Sequence, residues 1–423
     1  MNSMSRRMFL KSSAAMAAVS AASKVRAAGS NDRIGAAVIG CRNRGWQNAQ
    51  QFQRSGRFDV LALCDCDDAM IDVAMGKLKK DLPRKPKRVK DFRHVLADRE
   101  VEAVINATPD HWHALITVLA LEAGKHVFLE KPASYNIDDG KAMVAAQQRH
   151  PKLTVAMGTQ QRSGQHFKDA KAFIDSGGLG RIAFARAWMS GGRHIVKSVP
   201  DSDPPASLDY DMWVGPARYR PYNAEKLHYN WHFMRDYGTN DAGNWGAHYL
   251  DIVRWYADLG LPQAASGFGG KYIVKDAKEW FDTQTAMFHY PELTVVWELR
   301  HWTATGVNDR NTGAELRGDK GSMVVDRAGW VFYPKHGEPV KHDSSALDDP
   351  HVKNFADCIA GSARPAASIV EGHKTAVLCH LANIATLFNR QIEFDPATET
   401  IKNDPEARAL EGREYRSQWK MPT

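Results

Sequence analysis

The chain has 423 residues, 43% of them hydrophobic and 25% charged, which excludes a small disulfide-stapled scaffold and leaves core enough for two or three folded domains. The net charge of +7 overstates its basic character, because Arg6, Arg7, Lys11, Lys24 and Arg26 fall in the segment 1–28, which holds no acid. The remainder is close to neutral and has no basic tract suited to a phosphate backbone, so nucleic acid is not an expected partner.

The segment 1–28 reads as an address. Ser5-Arg6-Arg7-Met8-Phe9-Leu10-Lys11 is a twin-arginine signature, an Ala-rich apolar stretch over 12–22 is too short to span a bilayer, and Val25-Arg26-Ala27-Ala28 suits cleavage. The expectation is a protein exported to the periplasm or beyond by the twin-arginine route, with no membrane span in the mature chain. That route moves folded proteins, often with a cofactor already seated. Cys41, Cys64, Cys66, Cys358 and Cys379 are odd in number and lack framework spacing, so they are expected to be buried thiols.

Short apolar runs then alternate with helical stretches, the mark of a parallel sheet with crossover helices. Strands are predicted over 34–39, 60–64, 103–107, 126–129 and 154–157, and helices over 46–55, 69–80, 112–122 and 138–149. The basic stretch 77–90 carries two prolines and reads as a solvated loop. After a helix over 167–175 the texture changes to longer strand-like runs over 182–190, 266–274, 283–290, 293–301, 314–317 and 323–326. Helices over 247–258 and 370–388 are interleaved with them. The predicted fold is α/β: a Rossmann domain over 29–160, with a doubly wound parallel sheet, then an α/β domain over 161–423 with a large, mostly antiparallel open sheet. The long segment 191–245, rich in Pro, Gly, Tyr and Trp, reads as a functional loop.

Gly40-Cys41-Arg42-Asn43-Arg44-Gly45 follows the first strand and opens a helix. In a dinucleotide site the first glycine makes a tight turn and the last lets helix and strand pack closely; here the middle glycine is Arg42. Asp65 ends the second strand, downstream of that helix, where it would accept hydrogen bonds from a ribose and repel a 2′-phosphate. NAD is therefore favoured, with NADP left open by Arg42 and Arg44, and Asp67 could take the place of Asp65. Thr108-Pro109-Asp110-His111-Trp112-His113 and Glu130-Lys131-Pro132 end the next strands, so they should crowd the same crevice. Asp110 reads as a helix N-cap. His111 and His113 do not have the spacing of a metal pair, and no metal site is expected. Lys131 would bring a charged head to the reacting atoms.

Asn244 and His248, four apart, share a helix face. His248 is the candidate acid/base, against a structural reading at a helix start, while Asn244 can bond a hydroxyl but cannot take a proton. Asp251 would orient His248 or cap its turn. Trp188, Arg193, Trp213, Tyr222, His228, Trp231, Asp236, Tyr237 and Trp245 offer the flat faces and polar edges a pyranose requires, although for any single ring a core role competes. Arg162 is the candidate substrate-side arginine, with an ion-pair role as the alternative.

Taken in order, Gly40–Gly45, Asp65, Thr108–His113, Glu130-Lys131-Pro132, Gly158-Thr159-Gln160-Gln161-Arg162 and Asn244–Asp251 resemble the glucose–fructose oxidoreductase, inositol dehydrogenase and MocA family. The resemblance runs from about residue 33 to about residue 396. It implies that Lys131 lies beside the nicotinamide ribose and the reacting hydroxyl, that Lys131–Pro132 is a cis peptide, and that the open sheet face forms a homodimer or homotetramer. Many members carry Asp where this chain has Asn244. The site expected on these grounds comprises Lys131, His248 and Asn244 as catalytic residues. Gly40, Arg42, Asn43, Arg44, Gly45, Asp65, Thr108, Pro109, His113, Glu130, Lys131 and Gln160 would hold the cofactor. Arg162, Trp188, Trp231, Tyr237, Asn244 and His248 would hold a carbohydrate. Three functions fit: hydride transfer from a sugar, polyol or glycoside hydroxyl to tightly held NAD(P); redox-neutral glycoside cleavage by transient oxidation, elimination and re-reduction; and non-catalytic sugar binding.

Overall fold

The computed structural model describes residues 33–416 and 418–422, so the twin-arginine segment lies outside the described residues. Among them no helix is long and apolar enough to cross a membrane, and no group of His, Cys, Asp and Glu is arranged to hold a metal ion.

The first sheet is parallel and six-stranded, built from β1 (Ile34–Ile39), β2 (Phe58–Cys64), β3 (Lys87–Val89), β4 (Ala103–Asn106), β5 (His126–Leu129) and β6 (Val155–Met157), in the order β3-β2-β1-β4-β5-β6. Ala36, Ala37 and Val38 are fully buried, as expected where crossover helices cover both faces of a parallel sheet. Strand order reverses between β1 and β4, and ligands of such sheets bind in the crevice beyond that switch point. The predicted solvated loop contains β3. It is an edge strand whose basic side chains are matched by acids: Lys87 pairs with Asp98 at 2.8 Å, and Lys90 beside it pairs with Asp68 at 3.1 Å.

The second sheet has ten strands. In chain order they are β7 (Ile182–Ser190), β8 (Ala264–Gly270), β9 (Thr283–His289), β10 (Thr294–Arg300), β11 (Thr312–Gly318), β12 (Gly321–Asp326), β13 (Gly329–Pro334), β14 (Val340–Asp343), β15 (Gln391–Asp395) and β16 (Thr400–Ile401). They lie in the order β14-β13-β12-β11-β7-β10-β9-β8-β15-β16, antiparallel except for β7 against β10. Along β9, Ala286 and Phe288 are buried while Met287 points out, the period-two alternation of a sheet covered on one face. The covering helices are Ala247–Tyr256 and Ile369–Phe388, whose Leu250, Val253, Leu378 and Leu381 share a core with Val295, Trp297 and Leu299.

The chain's end returns to the first domain. Helix Asp348–Ile359 sets Phe355 in a stack on Phe58, with ring centroids 5.8 Å apart, and edge-on to Phe52 and Phe128. Burying one such ring stabilises the docking by about 1.5–3 kcal/mol. Trp419 packs edge-on against Trp112 at 4.8 Å. Cys41, Cys64, Cys358 and Cys379 are buried, Cys66 is half-buried, and all five are free thiols.

Candidate active site

Two cavities meet at the carboxyl ends of β1, β4 and β5, with volumes of about 260 and about 340 Å³, near the lower end for small-molecule sites. The first is walled by Gly40, Arg42, Asn43, Asp65, Thr108 and Pro109. Gly40 has φ +87°, and a Cβ there would sit 2.5 Å from the Ala107 carbonyl oxygen; one on Gly45 would sit 1.8 Å from the Gly40 oxygen. Only glycine permits either approach. Helix Arg44–Arg54 starts at this turn with no capping side chain and no acid in its first turn, which leaves its amino-terminal amides for an anion. Asp65 accepts from the Cys41 amide at 2.8 Å and the Asp67 amide at 3.0 Å, so each oxygen keeps a lone pair for a ribose hydroxyl. These residues fit a dinucleotide. Asp67 instead caps helix Asp68–Leu78 and accepts from His228 Nε2 at 2.8 Å.

A strap from the segment 191–245 closes this cavity. Arg42 donates to the His228 carbonyl at 3.1 Å and lies 5.6 Å over the Tyr229 ring, while Asp68 and Asp209 donate their amides to Ser207 and Cys66. Tyr229, Trp231 and His232 line both cavities. Arg44, a candidate pyrophosphate ligand in sequence, pairs with Glu130 and Asp348, each at 2.8 Å.

The second cavity is lined by Glu130, Lys131, Gln160, Trp231, Asn244 and His248, among others. The Lys131–Pro132 peptide is cis. Lys131 Nζ donates to Asn244 Oδ1 at 2.6 Å and to the Asn244 carbonyl at 3.2 Å. Burial lowers the Lys131 pKa, opposed by Glu130 and Asp110 and reinforced by Arg327. Asn244 sits in a π-helical turn, Ala242–Gly246, that runs straight into helix Ala247–Tyr256, an irregularity frequent at functional sites. Its amide donates to Asp241 Oδ1 at 2.9 Å. Asp241, fully buried, is gripped by Arg193 at 2.6 and 2.9 Å and by His301 Nε2 at 2.7 Å. Burial pushes the Asp241 carboxyl up, but Arg193 and His301 outweigh it and hold it well below the usual range. His248 Nε2 accepts from Arg327 at 3.2 Å; burial, then Arg327 and Lys131, hold the imidazole neutral, well below its ordinary pKa.

Several candidates lie elsewhere. His113 holds the crevice rather than lining it: its ring nitrogens meet the Pro132 and Thr108 carbonyls at 2.7 and 2.8 Å. Arg162 is buried in a bidentate pair with Asp251, at 2.7 and 2.8 Å, and Asp251 also accepts from Thr375, so it neither orients His248 nor caps its turn. Trp188 is a core ring beneath β11 whose Nε1 donates to the Arg310 carbonyl at 2.7 Å. Tyr237 is buried against Trp213, 4.8 Å between centroids. Asp110 is not the N-cap but the first residue of helix Asp110–Glu122; it accepts from Thr239 Oγ1 at 2.7 Å and so ties the strap's far end to that helix. Sequence reasoning missed Asp241, His301, His232 and Arg327. Asp241 was findable, since it stands one turn before Asn244 at a helix start; Arg327 lies on the β12–β13 turn, remote in sequence from every motif.

A six-stranded doubly wound domain with a glycine turn, a ribose-facing acid and a lysine at the crevice defines an NAD-binding oxidoreductase. Residues 34–159 match the oxidoreductase family's NAD-binding Rossmann fold, and residues 183–261 and 328–421 match that family's C-terminal alpha/beta domain. The chain belongs to the GFO/IDH/MocA oxidoreductase family, and its N-terminal domain binds NAD. Over 151 residues it is 30% identical to inositol 2-dehydrogenase of Salmonella typhimurium, covering 36% of this chain and 42% of that one. Over 130 residues it is 28% identical to a glycosyl hydrolase family 109 protein of Shewanella sp., covering 30% of this chain and 28% of that one. The matches thus span less than half the length of these relatives. Levoglucosan dehydrogenase, solved with NADH and levoglucosan, superposes with a TM-score of 0.67 at 16% identity, covering 86% of this chain and 99% of that one, a likeness of fold.

Proposed function

We propose that the protein is an exported, NAD-dependent oxidoreductase that acts on a hydroxyl of a sugar, polyol or glycoside and keeps its cofactor through turnover. The observation that carries this reading is Lys131: its ammonium is fixed by Asn244 at 2.6 Å in a cavity that shares Thr108, Tyr229, Trp231 and His232 with the dinucleotide cavity. Bound NAD supplies the hydride acceptor. Because burial lowers its pKa, Lys131 can shed its proton and, as the neutral amine, take the hydroxyl proton, while Asn244 holds its Nζ in place. Trp231 and Trp245 offer ring faces to a pyranose, and Gln160 and Asn244 offer polar edges. Asp65 disfavours a 2′-phosphate, and Arg42 is engaged with the strap, so NAD is favoured over NADP. The twin-arginine signature supports export, and the strap supports a retained cofactor. Exposed Phe268 and Met287 on the open sheet face support a homo-oligomer.

The glycosyl hydrolase relative favours a second reading, in which oxidation is transient and the net reaction cleaves a glycoside. Product analysis without added cofactor separates the two. Free reducing sugar released from a glycoside alone indicates cleavage, and conversion that requires a second sugar indicates transfer of reducing equivalents. No conversion of sugars, polyols or glycosides contradicts both.

A further inference from the structure

Most buried histidines of this chain are held by partners. His111 and His113 face backbone carbonyls, His301 bonds Asp241, and His351 meets Ser163 Oγ and the Met157 carbonyl, both at 2.7 Å. His232 is different. It sits on a single 3₁₀ turn, Asn230–Phe233, in the wall common to the dinucleotide and substrate cavities. Among the described residues its imidazole has no hydrogen-bond partner: Nδ1 is shut off from solvent, while Nε2 keeps access to the cavity. Trp231 fixes the ring edge-on, with centroids 3.7 Å apart. His248, the other imidazole of the cavity, has Nδ1 shut off and Nε2 taken by Arg327. The histidine free to exchange a proton with a ligand is therefore His232.

We propose that His232 is a second proton-transfer group of this site, serving the substrate carbon next to the one oxidised. The proposal rests on the oxidoreductase reading above and gives its redox-neutral branch a residue. With NAD bound to accept the hydride, oxidation would pass the hydroxyl proton to Lys131 and leave a carbonyl that acidifies the adjacent C–H. His232 Nε2 takes that proton, and the C–H electron pair forms an enolate. Collapse of the enolate expels the glycosidic oxygen, which leaves with the proton His232 acquired. Water adds to the resulting double bond, and hydride and proton then return to the carbonyl, so no outside oxidant or reductant is required. Four charged groups bear on the imidazole: Lys131, Arg193 and Arg42 oppose its protonation and Asp241 favours it. Burial and these cations hold its pKa at about 3, which keeps the lone pair open at neutral pH, and the developing enolate offsets the cations as the proton arrives.

The test uses the holoprotein in D₂O with p-nitrophenyl α- and β-D-glucopyranosides and galactopyranosides as probes. Reduction of bound nicotinamide is followed by absorbance, and deuterium in the recovered sugar by mass spectrometry. In His232→Asn and His232→Gln, reduction should persist while deuterium incorporation falls about 10²–10⁴-fold, the usual contribution of a positioned acid or base. Unchanged incorporation would overturn the proposal, as would reduction and incorporation falling together, which marks a structural role. Wild-type protein that reduces its nicotinamide but incorporates no deuterium also overturns it. Wild-type protein that reduces no nicotinamide with any probe contradicts the underlying oxidoreductase reading and removes this proposal with it.

Discussion

Asn244 accepts from Lys131 through its oxygen and donates to Asp241 through its amide, so the orientation of one side chain is set by a cation on one side and an anion on the other. Without Asp241 the amide could turn over and present NH₂ to the ammonium. An anion is thus present one turn before Asn244, paired with Arg193 and His301. Asp241→Asn leaves Arg193 with no carboxylate, which should cost about 3–5 kcal/mol. The pH dependence gives a sharper check. Because the folded-state pKa of Asp241 is depressed, its contribution is fully present above the unfolded value of about 3.9 and is lost as pH falls through the folded one. Thermal unfolding of the wild type should therefore lose stability below about pH 4 more steeply than Asp241→Asn; parallel profiles would contradict the assignment. Residue identity pointed to Lys131 because it follows a strand end, and to Asn244 and His248 because they share a helix face; all three line the second cavity. It left Arg162, Trp188 and Tyr237 open between a sugar contact and a polar core, because their side chains suit both; partners distant in sequence, such as Asp251 and Arg310, place Arg162 and Trp188 in the core.

Among the elements, the glycine turn was the most legible, because its constraint is local: Gly40 and Gly45 meet backbone nearby in the chain or one strand away. The strap was legible only as a long aromatic loop. Its course over the first cavity depends on pairings between positions far apart in the chain, such as His228 with Asp67 and Arg42 with the His228 carbonyl. Strands β13 to β16 were missed for a simpler reason, since short strands between turns carry little periodicity. If the strap retains the dinucleotide, His228→Ala should release it about 10-fold faster, equivalent to about 1.4 kcal/mol of retention. Denaturing mass spectrometry of bound NAD over a dialysis series measures this. An unchanged release rate would show that the pair does not hold the cofactor in place.

At the scale of the molecule, the two sheets are joined so that neither half of the site is complete alone. The first domain supplies Lys131 and the dinucleotide crevice. The second supplies Asn244, His248 and Arg327, and it sends Phe355 and Trp419 back onto the first. The most direct measurement is single-turnover reduction of co-purified NAD by the active sugar or glycoside, with no cofactor added, in wild type and in Lys131→Ala at equal NAD occupancy. The account predicts reduction in the wild type and a fall of about 10²–10⁴-fold in the variant. Equal rates in the two proteins, or a purified wild type with no affinity for either dinucleotide, would contradict it.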